Sequence, residues 1–130
     1  MRIPYLAICR VAVVNRAWYE WGAHAPLATA AGVPAAGLDV VKRTDVLSLS
    51  DDSSSSNGLS AVQWAVIVYT EEMTRNVEVA DATFARLREF LNERQIVELT
   101  MVVASYNCVS RFLVALNVGE KNGTGIEAAH

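Results

Sequence analysis

Charge is what this sequence has least of. Only 19% of its 130 residues are Asp, Glu, Lys or Arg, while 52% are hydrophobic; ordinary globular domains carry about a quarter charged residues. The net charge is −3 and no basic cluster occurs, which sets aside nucleic-acid binding, whose affinity rests on cationic contacts to phosphate. Cysteine is scarce. Cys9 and Cys108 lie far apart, each beside apolar residues, and form no C-x-x-C, zinc pattern or disulfide framework; they read as buried free thiols packing as small hydrophobes. Apolar runs are short, the stretch from Trp64 to Tyr69 being an example, and none approaches the roughly 18 residues of a membrane helix. The opening MRIPYLAICRVAVV has Arg10 inside its apolar segment and no small-residue cleavage site, which argues against a signal peptide. A soluble cytoplasmic protein is therefore expected, with no membrane or nucleic-acid partner. The apolar surplus predicts that part of its surface is buried against another subunit.

Sustained two-residue alternation is missing too, so strands are not expected. Helical spacing is present throughout. Leu6–Val14 and Trp18–Ala31 read as two helices broken at Asn15 and Arg16, the second ending at Gly32 with Pro34 beyond it. Pro26 should kink the second helix or restart it after His24. Ala35–Arg43 reads as a short helix, and residues 44–59, TDVLSLSDDSSSSNGL, as a mobile serine-rich loop, a bland linker or a lid. Ser60 and Gln63 fit a capping box that opens a helix to about Asn76. Asp81 sits in the first turn of another, with Phe84, Leu87, Phe90 and Leu91 at helical spacing. Asn92 can cap the last helix, where Ile96, Leu99, Val103, Asn107 and Arg111 recur every three or four residues; apolar side chains nearly encircle it, as in a central or interface helix. The expected class is all-α, a single compact domain of five or six helices over residues 1–118, with a frayed tail from 119 to 130.

The chemistry concentrates in WYEWGAH, residues 18–24. Glu20 and His24 stand one helical turn apart and can share a hydrogen bond, the carboxylate orienting the imidazole. Trp18, Tyr19 and Trp21 would partly desolvate both. Desolvation raises a carboxylate pKa and lowers that of histidine, whereas mutual attraction does the opposite, so the pair could titrate near neutrality and serve as acid and base. A structural Glu–His pair on a helix surface is the alternative. One Glu and one His are too few for a metal site. In SYNCVSR, Tyr106, Asn107 and Arg111 interrupt an apolar helix; Asn107 and Arg111, one turn apart, could bind a carboxylate or carbonyl. Alternatively Arg111 ends the helix or pairs across a subunit interface.

LAICRVAVVNRAWYEWGAHAPLATAAGVP, with its Y-E-W-x-x-H pattern, resembles the helix–turn–helix stretch of the carboxymuconolactone decarboxylase family, within the alkylhydroperoxidase D-like superfamily. RQIVELTMVVASYNCVSRFLVALNV, with Y-N-x-x-x-R, is similar to that family's closing helix; together the two stretches cover nearly half the chain. The resemblance implies a helical protomer assembling into dimers, trimers or hexamers, with sites near subunit contacts. In the hydroperoxidase branch a C-x-x-C precedes the histidine, with a relay glutamate upstream. Here His24 takes the histidine place, while Ala17 and Glu20 take the cysteine places and Tyr5 the glutamate place, so peroxide reduction has no matching nucleophile. The resemblance also departs at the start, because members carry additional helices before LAICRVAVV.

What the resemblance implies is a cofactor-independent enzyme that decarboxylates or isomerises a small lactone or carboxylic acid. His24 would be the proton shuttle and Glu20 its partner, with Tyr19, Trp21, Tyr106, Asn107 and Arg111 contacting substrate. The alternatives are a thiol-dependent antioxidant oxidoreductase and a non-catalytic oligomeric interaction protein.

Overall fold

The computed structural model describes residues 2–46 and 58–119. Six helices, and no strands, occur among the described residues: α1 (Arg2–Val14), α2 (Trp18–Ala30), α3 (Ala35–Val41), α4 (Ala61–Asn76), α5 (Asp81–Arg88) and α6 (Glu93–Ala115). The protein is all-α. Most of the serine-rich loop, residues 47–57, and the tail from 120 to 130 lie outside the described residues.

Local chemistry sets the helix ends. Ser60 accepts from the Gln63 backbone N–H while the Gln63 side chain accepts from the Ser60 N–H, and Asn92 and Gln95 repeat that exchange at the start of α6. Each box satisfies two amide donors that a helix N-terminus leaves open. Val77, at φ 66, follows α4. Three other helices close with a left-handed residue just past the last turn: Arg16 after α1, Gly32 after α2 and Asn117 after α6. In each case the residue after it donates back across the last turn, Ala17 to Ala12, Val33 to Ala28 and Val118 to Leu113. Pro26 neither ends nor restarts α2, which runs through it as one helix. A proline removes a single intrahelical donor, and here Ala25 and Ala28, buried on either side of Pro26, hold the helix against its neighbours.

The centre of the fold is α1, which lies against α2, α4 and α6 and touches α3. Its two faces fill two cores. Leu6, Cys9, Ala12 and Val13 pack with Trp21, Ala25, Ala28, Val41, Trp64 and Ile67. Ala7 and Val11 pack with Val66, Tyr69, Leu87, Leu91, Ile96, Leu99 and Val103. The last helix is therefore not the central one. Only Ile96, Leu99, Val103 and Ser110 of α6 are buried, and Val97, Met101, Val109 and Phe112 face outward. On α5 only Leu87 is buried, and Phe84, like Phe90 just past its end, remains exposed. By length and composition α6 would also pass for a membrane-crossing helix, although single polar residues interrupt its apolar run.

Arg10, buried within α1, binds the two cores to the rest of the fold. Its Nε donates to Glu71 Oε2 of α4 at 2.5 Å, and its Nη1 donates to the Val41 and Arg43 carbonyls at the end of α3, both at 2.5 Å. The other Glu71 oxygen accepts from Arg75. Burying these charges is tolerated because each has partners.

Candidate acid–base site between α1, α2 and α6

The helical period of α2 turns Glu20, Trp21, Ala25 and Ala28 inward. Glu20 is thereby carried into the α1–α2 contact, where only 2% of it reaches solvent. Neither carboxylate oxygen has a hydrogen-bond partner among the described residues. Burial pushes its carboxyl up to about 8, since a charge without a partner in a low-dielectric contact is disfavoured. Cys9 of α1 lies within the reach of its field: burial, and then the Glu20 charge, raise that thiol to about 12.

His24 comes one turn later and sits at the edge of the same contact, half-buried. Its ring meets Tyr106 of α6 edge to face, with centroids 5.1 Å apart at 84°. Its Nδ1 is buried without a partner, and burial lowers its pKa below the usual 6.5. The hydrogen bond expected between Glu20 and His24 is not formed. Glu20 points under α1 and His24 points toward α6, so the spacing that puts them on one side of a helix does not bring their polar atoms together. Of the two opposing influences expected on this pair, only desolvation operates. Both groups are consequently neutral at pH 7, the carboxyl protonated and the imidazole unprotonated.

The aromatic residues around them divide. Trp21 is buried, with Lys42 Nζ 5.9 Å from its ring centroid and its Nε1 unpartnered. A hollow of about 230 Å³ opens beside it between α2 and α3, lined in part by Ala25, Pro26, Leu38 and Lys42. Tyr19 is 47% exposed and covers the turn after α6, where a side chain at Gly119 would strike its ring. Trp18 is half-buried against the first core.

On α6 the three polar residues have distinct surroundings. Tyr106 faces His24. Asn107 is fully engaged: its amide donates to Thr74 Oγ1 (3.1 Å) and to the Val103 carbonyl (2.9 Å), and its carbonyl accepts from Asn15 (3.0 Å). Asn15 also donates to Ser110 Oγ at 2.7 Å. Arg111 is exposed and reaches back to the Thr74 carbonyl and Asn107 Oδ1, both at 3.5 Å, long contacts that a stronger acceptor could replace. The structure thus brings His24 and Tyr106 together and Asn107 and Arg111 together on α6, and leaves Glu20 apart, buried under α1. It turns Tyr19 and Trp21 to opposite sides of them.

Sequence reasoning missed the partners from α1 and α4. Cys9 and Arg10 read as an apolar segment with one interruption, and Glu71 and Thr74 as ordinary residues of α4. An arginine inside an apolar helix was the available signal for a buried ion pair; its partner, 61 positions away, has no local signature. Among the described residues no three His, Cys, Asp or Glu side chains converge as a metal site requires. Compared with protein-family models, curated proteins and solved structures, the chain gives no match.

Proposed function

We propose that this protein is a cofactor-independent acid–base catalyst acting on a small carboxylic or lactone acid, with His24 as its proton carrier. The observation that carries the reading is the pair of displaced titrations one helical turn apart: a Glu20 carboxyl raised to about 8 and a His24 imidazole lowered below 6.5. Groups pushed apart in this way divide acid and base roles at neutral pH. A neutral imidazole can take a proton from carbon next to a carbonyl.

In a decarboxylation the bond to the carboxylate carbon breaks, carbon dioxide leaves, and the electron pair stays on the substrate as an enolate. That charge needs a donor or cation, and the enolate carbon needs a proton. Arg111, on the helix that brings Tyr106 to His24, would anchor a carboxylate, and His24, after taking a proton from solvent, would deliver it to the carbon. In this scheme Asn107 holds Arg111, and Tyr106 holds His24 edge-on. The protomer associates with copies of itself.

The test is proton exchange in deuterium oxide, followed by proton NMR, on a panel of small lactone and 3-oxo carboxylic acids. Wild-type protein exchanges or decarboxylates at least one of them, and His24→Ala loses that activity with an unchanged helical circular dichroism spectrum. Full activity in His24→Ala defeats the reading.

One observation favours a non-catalytic assembly protein instead: the broad outward apolar face of α6. That reading expects no exchange of any acid. Peroxide reduction by Cys9 has no support, because a thiol with a pKa near 12 is not a thiolate at neutral pH.

A further inference from the structure

We propose that the outward face of α6 is the contact between two copies of this chain, paired antiparallel about a twofold axis near Ala104 and Ser105. Val97, Met101, Cys108 and Phe112 share that face at steps of four, seven and four residues. All are exposed, and Val97, Met101, Phe112 and Leu116 keep 62, 61, 60 and 63% of their surface open to solvent. No charged residue occurs between Glu98 and Arg111. The helix is about 35 Å long, and its outward faces from two copies together remove on the order of 1,000 Å² from water, which is what a specific interface needs.

Charge and shape select a second copy over other occupants. Arg94 and Glu98, at the start of α6, already pair with each other at 2.9 Å. A parallel pairing would set those charges against their own copies, whereas an antiparallel one sets Arg94 beside the partially negative C-terminal end of the facing helix and brings Glu98 level with Arg111 of the second copy. About an axis at Ala104 and Ser105, Val97 meets Phe112 and Met101 meets Cys108. The same register brings Val109 opposite Thr100, next to a groove of about 200 Å³ whose wall includes Leu99 and Val102. A lipid surface fits less well. The net charge is −3, which opposes anionic headgroups, and the face lacks the cationic border of an interfacial helix. For α6 to leave the fold and span a bilayer, the bonds of Asn107 and Ser110 on its inner face to Asn15 and Thr74 would have to break.

Light scattering after size exclusion tests this on the full chain. The wild type has twice the protomer mass of 14.1 kDa. Met101→Glu and Phe112→Glu each return it to the protomer mass with helicity unchanged, while Phe84→Glu on α5 and His24→Ala leave it doubled. In a Cys108→Ser background, Ala104→Cys forms an intermolecular disulfide on oxidation. A monomeric wild type overturns the proposal, as does a dimer that survives both glutamate variants. A dimer that Ala104→Cys fails to cross-link overturns the antiparallel pairing. Monomers that float with phosphatidylglycerol vesicles through Phe112 would assign the face to lipid instead.

Discussion

The Arg10 guanidinium and the Glu71 carboxylate close an ion pair at 2.5 Å inside the fold, with 0% and 2% of their side chains exposed. The same guanidinium holds the last carbonyls of α3, so a single side chain joins α1, α3 and α4. Removing one partner leaves a buried charge without compensation. Arg10→Ala and Glu71→Ala should therefore each cost about 3–5 kcal/mol in urea unfolding. Arg10→Met with Glu71→Leu should recover only part of that loss, because the Val41 and Arg43 carbonyls still lack their donor.

Glu20 makes stability depend on pH in an unusual direction for a carboxylate. The folded state keeps its proton up to about pH 8, whereas the unfolded chain releases it near 4.5. Between those values the unfolded state binds fewer protons, so stability falls as pH rises. At ~1.4 kcal/mol per pKa unit, the loss amounts to a few kcal/mol by pH 8 and then levels off. Glu20→Gln should remove this slope and be the more stable protein at pH 9, as measured by denaturant midpoints across pH. An unchanged slope would mean that Glu20 is not buried as an acid.

His24 contributes with the opposite pH dependence. Its folded pKa is lowered, so the unfolded chain takes up a proton near 6.5 that the folded one refuses, and stability is lost as pH falls below 6.5. Tyr106→Ala should uncover the ring and move its pKa upward toward 6.5. Proton NMR titration of the imidazole can follow this. The chain has one other histidine, His130, and His130→Gln identifies the signal.

Asn107 reads as the holder of Arg111. Asn107→Ala should cost roughly 1–3 kcal/mol, the penalty for leaving buried polar groups unpaired. If Arg111 anchors substrate, Asn107→Ala should raise KM more than it lowers kcat, while His24→Ala removes kcat.

The two thiols should differ sharply. Cys108 is exposed and Cys9 is buried. A protomer freed by Met101→Glu should take up one iodoacetamide adduct by mass spectrometry, at Cys108, and urea-unfolded protein two, while the native pair, which covers Cys108, should react more slowly. Reaction of Cys9 in the native state would show that the α1–α2 contact opens.

Much of this architecture was legible locally. The Ser60–Gln63 capping box, the cap at Asn92 and the stop at Gly32 follow from side chains acting within one or two helical turns. So does the proximity in sequence of Glu20 to His24. The reading went astray where the outcome depends on partners. Pro26 reads as a kink or a restart after His24, since one lost hydrogen bond is visible in sequence; α2 does not restart, and the packing of Ala25 and Ala28 that keeps it whole is not visible there. The last helix reads as central or interface by composition; α1 takes the centre, and α6 keeps one apolar face in solvent.

The sequence by itself determined the helical elements, their caps and the residue types that can move protons, since these depend on spacing along the chain and on intrinsic acidity. Tertiary structure alone decided that Glu20 loses its charge under α1, that His24 turns to Tyr106 instead of to Glu20, and that Arg10 finds Glu71. Those outcomes are set by desolvation and by contacts between helices distant in sequence, and neither leaves a mark on the residues nearby.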